Sequence, residues 1–235
     1  MISLPSIKIA GMNPVAEAGF PDKICPVIFL RGCNLRCPYC LNGSIVEDGR
    51  KDASPSVKLD DVVTYLMDNG EKDILVSGGE PCMHEENLTS LAEFLHSLGI
   101  RVRLSTNGTY PTVLGRLMHR GLLSFVAIDV KTNVFGGSGL SALTGHAESN
   151  GITQSLSHNI IQSLSDIASN AKRGDAFSYE VRTTLYPPVI GEGEVAEIAK
   201  HLPHDAVWVL QQFRAKKGLL GGRRRCRQAA FQRDP

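Results

Sequence analysis

Arg31-Gly32-Cys33-Asn34-Leu35-Arg36-Cys37-Pro38-Tyr39-Cys40 follows directly on the unbroken apolar run Pro26-Val27-Ile28-Phe29-Leu30. Such a run reads as a strand buried on both faces, as in a parallel sheet. The loop after it carries three of the chain's six cysteines, in a C-x3-C-x2-C spacing. Cysteines kept reduced inside a cell and crowded this closely read as metal ligands rather than disulfide partners. No fourth cysteine or histidine stands at a regular distance, so a tetrahedral zinc site would have to recruit His84 or Cys82. Three thiolates on one loop suit a 4Fe–4S cluster, with Cys33, Cys37 and Cys40 as ligands and one iron left open.

Outward from that loop, β-branched runs alternate with amphipathic stretches. The spacing predicts strands over 26–30, 73–77, 101–105, 124–130, 177–185 and 206–211, and helices over 58–69, 85–97, 111–121, 154–170 and 194–201. Pro111 opens one of these helices and Gly121 ends it, a proline-first, glycine-last arrangement. Strands alternating with helices, and no long polar linker, describe one α/β domain over residues 1–213. Its parallel sheet is closed or partly closed into a barrel. Residues 133–151, with Gly136-Gly137-Ser138-Gly139, form the longest expected loop.

The 235 residues are 42% hydrophobic and 21% charged, which excludes wholesale disorder. No apolar run reaches the ~20 residues of a membrane span. Met1-Ile2-Ser3-Leu4-Pro5 lacks a charged segment followed by an apolar one, so the expectation is a cytoplasmic chain without membrane partners. Residues 214–235 carry eight Lys or Arg against Asp234 alone, in a chain of net charge +1, so the remainder is acidic at about −6. An acidic body argues against nucleic acid as a partner. The basic stretch 214–235 reads as a poorly ordered tail in preference to an RNA-binding arm.

Polar residues gather where each strand ends. The second runs into Gly78-Gly79-Glu80-Pro81, the third into Ser105-Thr106-Asn107-Gly108 and the fourth into Asp129-Val130-Lys131-Thr132. The fifth runs into Arg182-Thr183-Thr184 and the sixth into Gln211-Gln212. A parallel barrel keeps its active site at that rim. Asp129 and Lys131 project to one side of an extended strand end and Val130 to the other.

The cysteine loop, with Tyr39 just before its third cysteine and Gly-Gly-Glu one strand later, resembles the signature of the radical S-adenosylmethionine superfamily. The resemblance implies a partial (β/α)6 TIM-type barrel. It implies one 4Fe–4S cluster on Cys33, Cys37 and Cys40, with S-adenosylmethionine chelated by the open iron. In such proteins Gly78, Gly79 and Glu80 would hold the methionine amino group. Tyr39, Ser105, Thr106, Asn107, Asp129, Lys131 and Arg182 would complete the cofactor pocket.

Over residues 18–213 the layout is similar to the activating proteins of glycyl radical enzymes, above all those of anaerobic ribonucleoside-triphosphate reductase. Gly19-Phe20-Pro21-Asp22, the wording of the cysteine loop and Asp129-Val130-Lys131 carry this narrower likeness. It implies an oxidoreductase in which a flavodoxin- or ferredoxin-type donor supplies an electron and S-adenosylmethionine is cleaved reductively. A glycyl radical is then raised on a partner, the anaerobic ribonucleotide reductase, with Asp129 and Lys131 as catalytic residues. Leu41-Asn42 stands where activases commonly carry His-Asn, Ser105 where several carry aspartate, and beyond Phe213 the likeness stops. Two other readings remain open here. One is a radical enzyme acting on a small molecule or nucleobase, such as the deazapurine-forming enzymes of tRNA modification. The other is a non-catalytic iron–sulfur or zinc module.

Of the remaining residues, Cys25 and Cys82 read as small core side chains and Trp208 as barrel packing. The seven histidines show no metal spacing, and strand alternation leaves the side of Glu180 open.

Overall fold

Six strands run parallel and in sequence order: β2 (Ile24–Leu30), β3 (Asp73–Gly78), β4 (Arg101–Thr106), β5 (Phe125–Asp129), β6 (Ser178–Leu185) and β7 (Val207–Gln212). The computed structural model describes residues 7–18, 23–46, 57–136, 140–144, 151–174, 177–213 and 229–231. Antiparallel strands β1 (Ile9–Glu17) and β8 (Ala229–Phe231) flank the six, pairing with β2 and β7. The eight strands form one open sheet, β1 at one edge and β8 at the other. This is the expected partial barrel.

Five helices cross between successive parallel strands: α1 (Leu59–Asp68), α2 (Glu85–Ser97), α3 (Pro111–His119), α5 (Ile152–Ala171) and α6 (Glu192–His201). The short α4 (Leu140–Thr144) precedes α5, inside the stretch expected to be loop. Gly19–Asp22 and most of the basic tail lie outside the described residues, but Ala229–Phe231 of that tail belongs to the sheet. The strand β1 was not anticipated. Its run includes Pro14, which cannot donate to a ladder, and its pairing slips between Asn13 and Ala16, where that proline sits.

The outer face of the sheet is apolar because the helices cover it. Ile28, Ile74, Val76, Leu104 and Val126 lie fully buried against Val62 and Leu66 of α1 and Leu88, Leu91 and Leu95 of α2. Each such side chain contributes roughly 1.5–3 kcal/mol by leaving water. The inner face carries Val27, Leu75, Arg103 and Phe125 side by side in register. Arg103 is buried there over the Phe125 ring, 3.8 Å from its centroid, and its Nε donates to the Ala18 carbonyl at 3.0 Å. Below them Asp73 accepts bonds from Arg101 Nε at 3.0 Å and Nη2 at 2.6 Å, and pairs with Lys23 at 2.8 Å. Alternation along the strands then aims Ser77, Ser105, Asp129, Arg182 and Gln211 toward the carboxyl-end mouth.

Candidate active site

The cysteine loop is held by the turn that follows β3. Gly79 N–H donates to the Leu30 carbonyl at 2.9 Å and Glu80 N–H to the Gly32 carbonyl at 2.7 Å. Asn42 Nδ2 donates to the Gly78 carbonyl at 2.8 Å, and the His84 ring donates to the Arg31 carbonyl at 2.6 Å. The approach is too close for side chains. A Cβ on Gly78 would lie 2.2 Å from Leu30 N, and one on Gly79 would lie 1.8 Å from Gly32 O. Gly78 also has φ +127°, which L side chains rarely adopt. Gly78 is thus required by the end of β2 and Gly79 by the backbone of the cysteine loop, before any ligand is considered.

A cavity of about 640 Å3 opens at the mouth. Cys33, Cys37, Tyr39, Cys40, Gly78, Gly79, Ser105, Thr106, Asn107, Asp129, Lys131 and Arg182 all line it. Glu80 is not among its lining residues. Its side chain is fully buried, accepting from Asn107 N–H at 2.6 Å, Thr106 Oγ1 at 2.8 Å and Cys82 N–H at 2.9 Å. Burial pushes its carboxyl above the ordinary range, although the three donors favour the ionised form. Glu80, to which the family resemblance gives a part in holding the cofactor, staples the β3 turn to the end of β4.

The later strands supply charge in neighbouring pairs. Lys131 Nζ lies 2.7 Å from Asp129 Oδ2, with Val130 fully buried between them on the opposite side. Burial works against the lysine's charge, but Asp129 outweighs it and holds the pKa well above the ordinary value. Arg182 pairs with Glu180, whose side chain is 2% exposed, so Glu180 faces inward behind the cavity wall. Tyr39 is wedged against Tyr186, 5.0 Å between centroids, and Phe213, at 6.5 Å. Its buried hydroxyl has no hydrogen-bond partner among the described residues.

Three cysteines of one loop lining the cavity are a donor set that an iron–sulfur cluster could use. Among the described residues no three His, Cys, Asp or Glu side chains converge as ligands of one ion. Zinc would need them within about 2.0–2.3 Å of a common point, whereas a cluster spreads its thiolates over separate irons. His84 is engaged by the Arg31 carbonyl, and Cys82 is buried beside Thr106, away from the cavity lining. Burial pushes the Cys33 thiol up to about 11 and raises Cys37 as well, so bound cationic iron would supply the charge their thiolates need.

Several cavity residues were not anticipated. Asn13, Ala16 and Glu17 of β1 line one side, on a strand whose broken alternation concealed it. Gln211 and Gln212 line the other, as their place at a strand end suggested. Thr183 and Trp208 face away. Trp208 Nε1 donates to Thr183 Oγ1 at 3.0 Å, within the core between sheet and helices. Cys25 is buried at the base of the inner face.

The sequence pattern of the Radical SAM superfamily matches residues 27–133. Over 208 residues the chain is 28% identical to a Methanocaldococcus jannaschii protein provisionally named a glycyl-radical enzyme activating enzyme, covering 88% of this chain and 80% of that one. Over 87 residues it is 42% identical to the 7-carboxy-7-deazaguanine synthase of Aquifex aeolicus, 36% of this chain and 37% of that one. Streptococcus suis SuiB, in its crystal structure bound to S-adenosylmethionine, shares the fold with a TM-score of 0.55. That likeness has 14% identity and covers 80% of this chain and 40% of the SuiB chain.

Proposed function

Because this chain belongs to the radical SAM superfamily, we propose that it is an activating enzyme that raises a glycyl radical on a partner protein. The observation that carries the reading is the match to the M. jannaschii protein, which runs through both halves of the sheet. Cys33, Cys37 and Cys40 would hold a 4Fe–4S cluster, and the cavity beside them would take S-adenosylmethionine. The cluster, if held there, would supply the low-potential electron for reductive cleavage of S-adenosylmethionine, the chemistry by which a hydrogen atom could be taken from a glycine Cα of the partner. Lys131 and Asp129 both line the cavity, and in this reading Lys131 would meet the carboxylate of S-adenosylmethionine while Asp129, 2.7 Å from its Nζ, would orient the ammonium. Tyr39, packed on Tyr186 and Phe213, closes the loop side of the cavity against water.

In this reading the partner is an anaerobic ribonucleotide reductase, and a flavodoxin- or ferredoxin-type protein delivers the electron. Anaerobically reconstituted protein should hold about four irons and four sulfides, and Cys33→Ala, Cys37→Ala or Cys40→Ala should each abolish them. With S-adenosylmethionine, reductant and a purified reductase, electron paramagnetic resonance should then count a glycyl radical. The short but closer match to the deazaguanine synthase favours a second reading, a radical enzyme acting on a nucleobase-like small molecule. Turnover of such a molecule, with no glycyl radical formed, would decide for it.

A further inference from the structure

Asn107 closes a ring of hydrogen bonds between the end of β4 and the cysteine loop. Its Oδ1 accepts from Thr109 N–H at 3.0 Å and from Thr109 Oγ1 at 2.6 Å. A backbone N–H can only donate, so the amide orientation is fixed and Nδ2 must face the other way. There it donates to Asn34 Oδ1 at 2.9 Å, and Asn34 Nδ2 returns a bond to Thr109 Oγ1 at 2.9 Å. The same Nδ2 lies 3.9 Å from Cys33 Sγ, which also takes the Leu35 N–H at 3.4 Å. From behind, the Asn107 N–H is pinned at 2.6 Å by the buried Glu80 carboxylate. Asn107 is itself 4% exposed, so water does not compete for these bonds.

From this geometry we propose that Asn107 is a positioning residue that sets the reduction potential of the metal centre through a hydrogen bond to the Cys33 sulfur, with Glu80, Asn34 and Thr109 holding its amide in place. The proposal rests on the reading of the cysteine loop as the ligand of an iron–sulfur cluster. A donor to a ligand sulfur withdraws negative charge and stabilises the added electron, which raises the potential. The amide would thus ease the uptake of the electron on which cleavage of S-adenosylmethionine depends.

The test is a redox titration of the reconstituted protein, following the reduced cluster by electron paramagnetic resonance. Asn107→Ala should keep wild-type iron and sulfide, while the ratio of reduced to oxidised cluster at a fixed ambient potential falls on the order of tenfold, 59 mV for a one-electron couple. Asn34→Ala, at the half-buried side of the ring, should shift the ratio in the same direction by less, and stands in if Asn107→Ala does not fold. An unchanged potential with clusters assembled overturns the proposal, and so does a lowered melting temperature without a shift in potential. Wild-type protein that takes up no iron and sulfide would instead overturn the metal-centre reading beneath it, an outcome recognisable by the missing visible absorption.

Discussion

The two halves of the sheet build the mouth in opposite ways. In the first half, β2 to β4, the site residues are tied to one another across strands. Gly79 bonds to the end of β2 and Glu80 to the backbone of the cysteine loop, Glu80 grips Thr106 and Asn107, and Asn107 reaches Asn34. In the second half, β5 to β7, the charged residues that reach the cavity are tied within their own strand, Lys131 to Asp129 and Arg182 to Glu180. A cross-strand network fixes the position of a loop, whereas a pair within one strand fixes only the charge it presents. The superfamily pattern ends at residue 133, so it spans the first network and stops just past Lys131. The difference gives each half its own test: assembly of the proposed metal centre for the first, binding of the proposed cofactor for the second.

The largest effect expected from breaking this division is that of Gly79→Val. Its Cβ would sit 1.8 Å from Gly32 O, so the turn and the cysteine loop cannot both keep their places. Overpacking against backbone should cost about 3 kcal/mol or more, and iron uptake should fall with it. A melting curve beside an iron assay checks both. Retention of wild-type iron and stability would mean that the first network does not hold the loop.

Glu80→Ala should come next. It leaves the Asn107 and Cys82 N–H groups and the Thr106 hydroxyl without their acceptor at a buried site, at a cost of about 2–3 kcal/mol. The pH dependence has a definite sign. Burial raises the folded-state pKa of Glu80, so the folded chain binds more protons than the unfolded one above the ordinary value of 4.5. That contribution to stability is fully present at lower pH and declines as pH rises through the folded value. Glu80→Gln should remove the slope, and chemical denaturation of both proteins across pH measures it.

Lys131→Ala probes the second half. The pair is partly open to the cavity, so its loss should cost only about 1 kcal/mol of stability. Binding of S-adenosylmethionine should nevertheless weaken by roughly tenfold or more, the equivalent of about 1.4 kcal/mol. Calorimetric titration of the reconstituted protein separates the two effects. A large stability loss with unchanged binding would place Lys131 with the structural residues of the first half.

Much of this arrangement could be read from residue order, and the exceptions have physical causes. Strands β2, β3, β5 and β7 announce themselves as apolar runs, β4 and β6 as alternations of polar and apolar residues, and helix ends as glycines such as Gly99 and Gly121, at φ +73° and +66°. The cavity lining was legible because polar residues at consecutive strand ends have no reason to be there in a packed core. The strand β1 was not, since an edge strand with a proline and two slips loses its period. Nor was the direction of Glu80. It stands in a turn, where period-two alternation no longer applies, and only the donors around it decide which way it faces. The side of Glu180 needed its neighbours as well: register with Ala127 and Val207, and the pair with Arg182, turn it inward.

The smallest effect should come from the opposite end of the barrel, which sets a baseline for both halves of the mouth. Asp73 is almost buried, and burial alone would raise its pKa, but Arg101 and Lys23 more than offset this and hold the carboxyl below its ordinary range. The folded chain therefore releases that proton more readily than the unfolded one. The resulting stability is present above the ordinary value of 3.8 and is lost as pH falls through the folded value. Both partners are substantially exposed, so water screens them and the gain at neutral pH is no more than about 1 kcal/mol. Asp73→Asn should lower the melting temperature slightly at pH 7, with the gap to wild type closing as the pH is taken below 3.8. Iron content and binding of S-adenosylmethionine should not change, because no member of the Asp73 cluster lines the cavity. If Asp73→Asn alters either, the base of the sheet is coupled to its mouth, and the division between the two halves is not the only one that matters.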